Sequence, residues 1–201
     1  MILQFGKTRL KLSFSFVALT ALMIILCEER IVISSLLSSF IHEFGHLFFM
    51  YISQDIPCNV EFTLFGMRID KKGCANISYE KEIIIALGGI IFNILSAVIS
   101  FIIHISSNSE FFLVLTVVNL IVAVVNSFPV AVLDCGRAIR YALIIKTGKE
   151  NSEKYTDFIS KIFVLIFTII SLVYFIVYGI NISLFAINIY LISITIIKKW
   201  S

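Results

Sequence analysis

The chain has 201 residues, of which 59% are hydrophobic and only 14% are charged. About a quarter of the residues of a typical soluble domain are charged, so this composition excludes an ordinary soluble fold and predicts a polytopic membrane protein. The formal net charge of +3 gives no reason to expect a nucleic-acid partner, because the placement of the basic residues has a topological explanation.

Runs of apolar residues predict an all-α membrane fold with about six transmembrane helices. The predicted spans are residues 12–27, 31–52, 83–104, 111–132, 162–179 and 180–197. The polar interval between the second and third spans contains Val60-Glu61-Phe62-Thr63-Leu64, an alternation typical of a β-strand. We therefore expect a small membrane-associated β-hairpin there. Residues 1–201 are predicted to form one integral membrane domain, with a functional core at about 31–140 and two C-terminal helices at 162–197.

The distribution of lysine and arginine predicts the orientation in the cell membrane. If the N-terminus is cytoplasmic and there are six spans, 15 of the 16 basic residues fall on the cytoplasmic side and only Arg30 falls outside. Because cytoplasmic loops carry an excess of basic residues, we expect both termini in the cytoplasm.

The second predicted span is interrupted by His42-Glu43-Phe44-Gly45-His46, which is an H-E-x-x-H motif. On a helix, residues four apart lie on one face, about 6 Å apart along the axis. Two imidazoles placed in this way can share one Zn²⁺, and the glutamate beside the first can accept a proton from a metal-bound water. The alternative is a buried neutral glutamate between two packing histidines. Burial of such a cluster in a bilayer costs on the order of several kcal/mol, which favours the metal site.

A catalytic zinc ion takes three protein ligands and keeps a fourth position for water. Asp134 is predicted to be the third ligand, because Pro129 should break the preceding helix and a carboxylate at that depth needs a charge partner. Two alternatives stay open at this point. Asp134 could instead cap a helix at the membrane surface, or the adjacent Cys135 could be the ligand.

Amide side chains inside the apolar helices are further candidates for the site. An unpaired amide in an apolar environment is costly, so Asn93 and Asn126 should have partners. Either could donate a hydrogen bond to the oxyanion of a hydrolytic reaction or hold the substrate, and either could equally make a helix–helix hydrogen bond. Only the helix–helix bond is expected for two other amides, Asn119 and Asn188.

The combination of motifs resembles the signature set of the site-2 protease family, which are intramembrane zinc metalloproteases. The motifs that carry the resemblance are HEFGH at 42–46, Gly89-x-x-x-Asn93, Asn126-x-x-Pro129 and Leu133-Asp134-x-Gly136. Their order and spacing are most similar to the branch typified by stage IV sporulation protein FB. The chain lacks the C-terminal nucleotide-sensing motifs of that branch, so nucleotide regulation is not expected.

The resemblance implies a role for each of seven residues. These are zinc ligation by His42, His46 and Asp134, general-base catalysis by Glu43, and substrate contact or shaping of the site by Asn93, Asn126 and Pro129. The implied reaction is hydrolysis of a peptide bond in a membrane-embedded or membrane-tethered protein, with an inhibitory or activating membrane partner left open. Two other functions would use the same residues: a membrane metal-ion transporter and a catalytically inactive scaffold that binds membrane helices.

Overall fold

The computed structural model describes residues 2–5, 8–12, 28–53, 59–63, 66–70, 78–179 and 181–197. This part of the chain contains six helices and four strands. The helices are α1 (Glu29–Ile52), α2 (Tyr79–Ser107), α3 (Glu110–Asn126), α4 (Asp134–Thr147), α5 (Lys149–Tyr178) and α6 (Ile182–Ile197). The strands are β1 (Ile2–Phe5), β2 (Thr8–Leu12), β3 (Asn59–Thr63) and β4 (Gly66–Asp70).

The strands form one sheet in the order β1-β2-β3-β4. The outer pairs β1–β2 and β3–β4 are antiparallel, whereas β2 and β3 are parallel, with Arg9 opposite Asn59. The N-terminal residues therefore pair with the segment that follows α1.

The predicted fold class is wrong in two respects. Among the described residues, three helices and not six are long and apolar enough to cross a membrane, namely α1, α2 and α5, while α3 and residues Leu184–Ser193 of α6 are apolar but shorter. In addition, the strands belong to a four-stranded sheet, so the fold is not an all-α fold with one isolated hairpin. The predicted first span, 12–27, lies outside the described residues except for Leu12, which ends β2.

Two predicted spans form helices shorter than 18 residues, because apolar run length does not define helix length: α3 ends at Asn126, before Pro129, and α6 begins only at Ile182. The boundaries of α4 and α5 also differ from the apolar runs. The interval 138–161 contains many charged residues and was expected to lie outside the spans. It instead completes α4 and supplies the first part of α5, which continues unbroken from Lys149 to Tyr178. Helical hydrogen bonds are local, so a helix does not have to end where its side chains become polar.

Helices α1, α2 and α3 pack together and bring their middle turns into the interior. Arg30, near the start of α1, forms an ion pair with Glu110 at the start of α3. Helix α2 runs the other way, and a two-residue turn joins it to α3, with Asn108 in the left-handed region at φ 53°. Polar side chains near the middle of all three helices therefore meet one another away from lipid.

The helical structure is interrupted between α3 and α4, as Pro129 predicts. Helix α3 ends at Asn126, and α4 begins at Asp134. The backbone N–H of Ala131, in the connecting loop, donates a hydrogen bond to Ser160 Oγ on α5 at 2.9 Å. Apolar side chains of the loop, α5 and α6 form a small buried cluster beside it, comprising Val130, Leu133, Val164 and Leu191. The irregular backbone is thus covered by protein, as it must be at membrane depth.

Candidate metal centre

Helix α1 carries the H-E-x-x-H motif on its inner face. His42, Glu43 and His46 are buried, with 7%, 9% and 6% of their surface exposed. The outer face of the same helix exposes three phenylalanines, Phe40, Phe44 and Phe48. The four-residue spacing of the histidines therefore directs both imidazoles toward α2 and α4 and away from the membrane.

The helix break places Asp134 directly opposite the two imidazoles. Asp134 Oδ2 lies 2.8 Å from His42 Nε2 and 3.2 Å from His46 Nε2, and the two Nε2 atoms are 3.3 Å apart. The Asp134 side chain is buried, with Arg137 Nη1 3.8 Å from its other oxygen. The alternative that Asp134 only caps a helix at the surface is therefore excluded by its position.

The far nitrogen of each ring faces a hydrogen-bond acceptor. His42 Nδ1 is 2.6 Å from Asn93 Oδ1, and His46 Nδ1 is 2.8 Å from the carbonyl oxygen of Ile85. A carbonyl oxygen can only accept, so each Nδ1 carries the proton in the neutral ring and each Nε2 carries a lone pair. Asp134 Oδ2 is buried and receives no hydrogen bond among the described residues. Two nitrogen lone pairs and a carboxylate oxygen thus converge, and a cation between them would satisfy all three.

The geometry fits a tetrahedral metal ion. Ligand atoms at 2.0–2.2 Å from a tetrahedral zinc stand about 3.3–3.6 Å from one another. Two of the three distances between these atoms, 3.2 and 3.3 Å, are near this range, and the third, 2.8 Å, is shorter. Three protein ligands leave a fourth position open, as catalytic zinc sites require. His42, His46 and Asp134 could therefore hold a metal ion together.

Glycines allow the backbone to approach the centre closely. A Cβ added at Gly45 would lie 2.5 Å from the carbonyl oxygen of Gly88, so α1 and α2 cross at these two residues. A Cβ added at Gly89 would lie 2.6 Å from His42 Cε1 and 2.7 Å from His46 Nε2. The absence of a side chain at Gly89 thus leaves room for both imidazoles.

The first turn of α4 explains the sequence Asp134-Cys135-Gly136. A Cβ added at Gly136 would lie 1.9 Å from the carbonyl oxygen of Val130, so the backbone contact requires glycine at the second position after the aspartate. Cys135 is half-buried and is absent from the converging ligand group. Burial, followed by the charge of the adjacent Asp134, raises the pKa of the Cys135 thiol, which disfavours the thiolate that a metal would need.

The structure places the remaining predicted residues as follows. Asn93 is fully buried, and its Nδ2 donates to the backbone oxygen of Ser38 at 3.1 Å and to Asn119 Oδ1 at 2.8 Å. Asn126 is half-buried at the end of α3 and donates to the carbonyl oxygen of Val122 at 3.0 Å. Pro129 is half-buried in the loop before α4. Contact of Asn93, Asn126 and Pro129 with a substrate stays a prediction.

Two polar residues near the centre had no predicted role in it. Ser38 and Asn119 are both fully buried, and Ser38 Oγ donates to Asn119 Oδ1 at 3.1 Å. Ser38 lies one helical turn before His42, so the i, i+4 spacing could have placed it on the same inner face. The involvement of Asn119 depends on how α3 packs against α2, which periodicity does not give.

Together, the fold and this site define a membrane protein with a candidate metal centre buried among its helices. No protein-family model and no characterised protein sequence matches the chain. Its fold is similar to that of the solved structure of the Site-2 Protease from Methanocaldococcus jannaschii, with a TM-score of 0.68 and 20% sequence identity. The match covers 95% of this chain and 91% of that one. The resemblance to site-2 proteases that the motifs carry is therefore confirmed at the level of the fold. This similarity does not distinguish the branch typified by stage IV sporulation protein FB from other site-2 proteases.

Proposed function

We propose that this chain is an intramembrane zinc metalloprotease that hydrolyses a peptide bond in a transmembrane or membrane-tethered protein. The observation that carries the proposal is the convergence of His42 Nε2, His46 Nε2 and Asp134 Oδ2 within 3.3 Å of one another. A buried glutamate, Glu43, directly follows the first of these ligands. The fold shared with a site-2 protease supports the same activity.

Zinc held by these three residues would polarise a peptide carbonyl and lower the pKa of a water molecule beside it. Glu43 is buried like His42 and directly follows it on α1. In the proposed mechanism the Glu43 carboxylate accepts the proton of the attacking water and passes it to the leaving amine. The surrounding helices exclude bulk water, which strengthens each of these electrostatic interactions.

We assign the predicted amide contact with the substrate to Asn126. The Nδ2 group of Asn93 already donates to Ser38 and Asn119, and its oxygen faces His42. Asn126 is half-buried just before the loop that leads to Asp134, and the hydrogen bond to Val122 uses only one of its two amide hydrogens. The second hydrogen is available to the developing oxyanion or to the backbone of an extended substrate.

The proposed substrate is itself a membrane protein, because the centre is surrounded by helices with lipid-facing apolar surfaces. α5 exposes many large side chains along its length, among them Leu165, Ile166, Ile169 and Ile170. A substrate segment would reach the metal laterally and unwind locally before cleavage. The distribution of Lys and Arg further supports cytoplasmic termini and cleavage near the cytoplasmic face.

The decisive experiment replaces the proposed base without altering the ligands. Glu43→Gln should reduce cleavage of a panel of fluorescently labelled single-span membrane peptides by at least about 100-fold, because general-base catalysis typically contributes that much. Zinc content should stay near that of the wild type. Glu29→Gln is the matched control, since Glu29 is an exposed glutamate on the same helix, and this variant should cleave normally.

Undiminished cleavage by Glu43→Gln would refute the role of Glu43. Zinc flux into vesicles that carry the protein, with no cleavage of any panel peptide, would instead favour the metal-transport alternative.

A further inference from the structure

The hydrogen bonds behind His42 extend across three helices. His42 on α1 meets Asn93 on α2, and Asn93 in turn donates to Asn119 on α3 and to the backbone oxygen of Ser38 on α1. Ser38 Oγ also donates to Asn119 Oδ1, and Asn119 Nδ2 donates to the carbonyl oxygen of Leu115 at 2.8 Å. Ser38, Asn93 and Asn119 have no exposed surface.

This arrangement fixes which end of the Asn93 amide faces the histidine. Asn93 Nδ2 has three partners, which are Asn119 Oδ1, the backbone oxygen of Ser38 and, at 3.1 Å, Ser38 Oγ. The first two can only accept hydrogen bonds. Asn119 cannot reverse its own amide without losing the bond to Leu115. If the Asn93 amide were reversed, its oxygen would lie against Asn119 Oδ1 at the present 2.8 Å contact. The two buried N–H groups of Asn93 would also lose their present acceptors.

The orientation of Asn93 in turn decides which nitrogen of His42 carries the proton. With Oδ1 facing the ring, Nδ1 must donate, and the lone pair is on Nε2, the atom that faces Asp134. With Nδ2 facing the ring, Nδ1 would have to accept, and the proton would move to Nε2. A protonated Nε2 cannot bind a metal ion, so the reversed amide would disable the first ligand.

We propose that Asn119 and Ser38 are positioning residues for the metal centre. By holding the Asn93 amide in one orientation, they fix His42 in the tautomer that binds metal. This inference rests on the proposed metal-binding function, and it gives Asn119 a role beyond the helix–helix bond expected from the sequence. Neither residue contacts the ligand atoms directly, so both act through Asn93.

Replacing Asn119 by leucine tests this role. Asn119→Leu removes the acceptor while keeping a side chain of similar size, and it should raise the zinc dissociation constant about 10- to 100-fold, as measured by competition with a chromophoric chelator in detergent. The matched control is Asn188→Leu. Asn188 is also a buried amide with an interhelical bond, accepting from Thr168 Oγ1 at 2.9 Å, but it joins α5 and α6. This control should leave zinc affinity unchanged.

A second readout needs no metal at all. The chain contains three histidines, so the ¹⁵N spectrum of histidine-labelled, metal-free protein is simple enough to assign. At an alkaline pH that keeps the ring neutral beside Asp134, His42 should show one tautomer, protonated at Nδ1, in the wild type and in Asn188→Leu. Asn119→Leu should show a mixture of the two tautomers. Asn119→Asp, which retains an acceptor for Asn93 and when protonated a donor for Leu115, should restore the single tautomer and most of the zinc affinity.

The possible results separate this inference from the proposed function. If Asn119→Leu binds zinc as tightly as the wild type and keeps one tautomer, the positioning role is refuted even if its melting temperature falls as in Asn188→Leu. If Asn119→Leu does not fold, Asn119→Ala, which removes the same acceptor without adding bulk, takes its place, and an unchanged tautomer and affinity would then overturn the inference. A wild-type protein that binds no zinc but keeps the single tautomer would overturn the proposed function instead.

Discussion

Each imidazole of the candidate centre is held on two sides. Its far nitrogen donates to a fixed acceptor, Asn93 Oδ1 for His42 and the carbonyl oxygen of Ile85 for His46. Each ring also lies close to the backbone at Gly89, where no side chain intervenes. The ring positions are therefore set before any metal binds, which reduces the ordering cost of ligation.

Gly89→Ala should displace the imidazoles and weaken metal binding. The added Cβ would lie 2.6–2.8 Å from atoms of both rings, so the histidines must move by several tenths of an ångström. We expect zinc affinity to fall at least about tenfold, comparable to the loss of a residue that orients a ligand. Gly148→Ala is the control, because Gly148 has open space around it and a positive φ of 81°. It should lower stability without changing zinc affinity, and equal affinities in both variants would argue against the role of Gly89.

Helix α4 is positioned by its contact with the loop before it. The added Cβ at Gly136 would lie 1.9 Å from the backbone of Val130, which cannot move aside as a flexible side chain can. The closeness of this contact keeps Asp134, at the start of α4, opposite the ligands of α1. The same turn contains Cys135, which has no comparable constraint.

Gly136→Ala should therefore damage both stability and the metal site. Overpacking of this kind costs about 1–3 kcal/mol, and the first turn of α4 would carry Asp134 away from the histidines. Thermal unfolding of the metal-free protein and zinc titration would measure the two effects separately. Cys135→Ala is the adjacent control, and it should bind zinc like the wild type. A loss of zinc in Cys135→Ala would revive the thiol as a ligand.

In the whole molecule, the candidate metal ligands come from two distant parts of the sequence, with His46 and Asp134 88 positions apart. The ion pair of Arg30 with Glu110 marks one end of the helical assembly, and α3 leads from it toward α4 and the start of α5, which carry many basic residues. In the proposed orientation, the Arg30 end is outside and the link between α4 and α5 is cytoplasmic.

Cysteine accessibility tests this orientation. In a cysteine-free background, Glu110→Cys should react with a membrane-impermeant maleimide added to intact cells, whereas Glu150→Cys should react only after the cells are lysed. Both residues are exposed, so a difference in labelling reports the side of the membrane and not burial. Labelling of both variants on the same side of the membrane would contradict the orientation.

The sequence predicted which three side chains converge better than it predicted the fold. The spacing of His42 and His46 places both on one helix face, so a local rule was sufficient for this pair. Pro129 marks the helix break before Asp134, but local rules left a capping role for Asp134 and ligation by Cys135 open. The count of six spans is not met because α3 ends before Pro129 and α6 begins only at Ile182, which leaves both helices shorter than 18 residues. The pairing of β2 with β3 joins residues about 50 positions apart, and local alternation cannot indicate such a partner. The contact of Asn119 with Asn93 likewise depends on helix packing.

The most direct test is the zinc content of the purified protein with and without Asp134→Asn. Asparagine preserves the shape of the side chain but removes its charge, so the variant should fold and lose most of its metal. We predict about one zinc per chain in the wild type, by atomic emission spectroscopy, and a small fraction of that in the variant. Full occupancy in a folded Asp134→Asn protein would contradict a centre built from His42, His46 and Asp134.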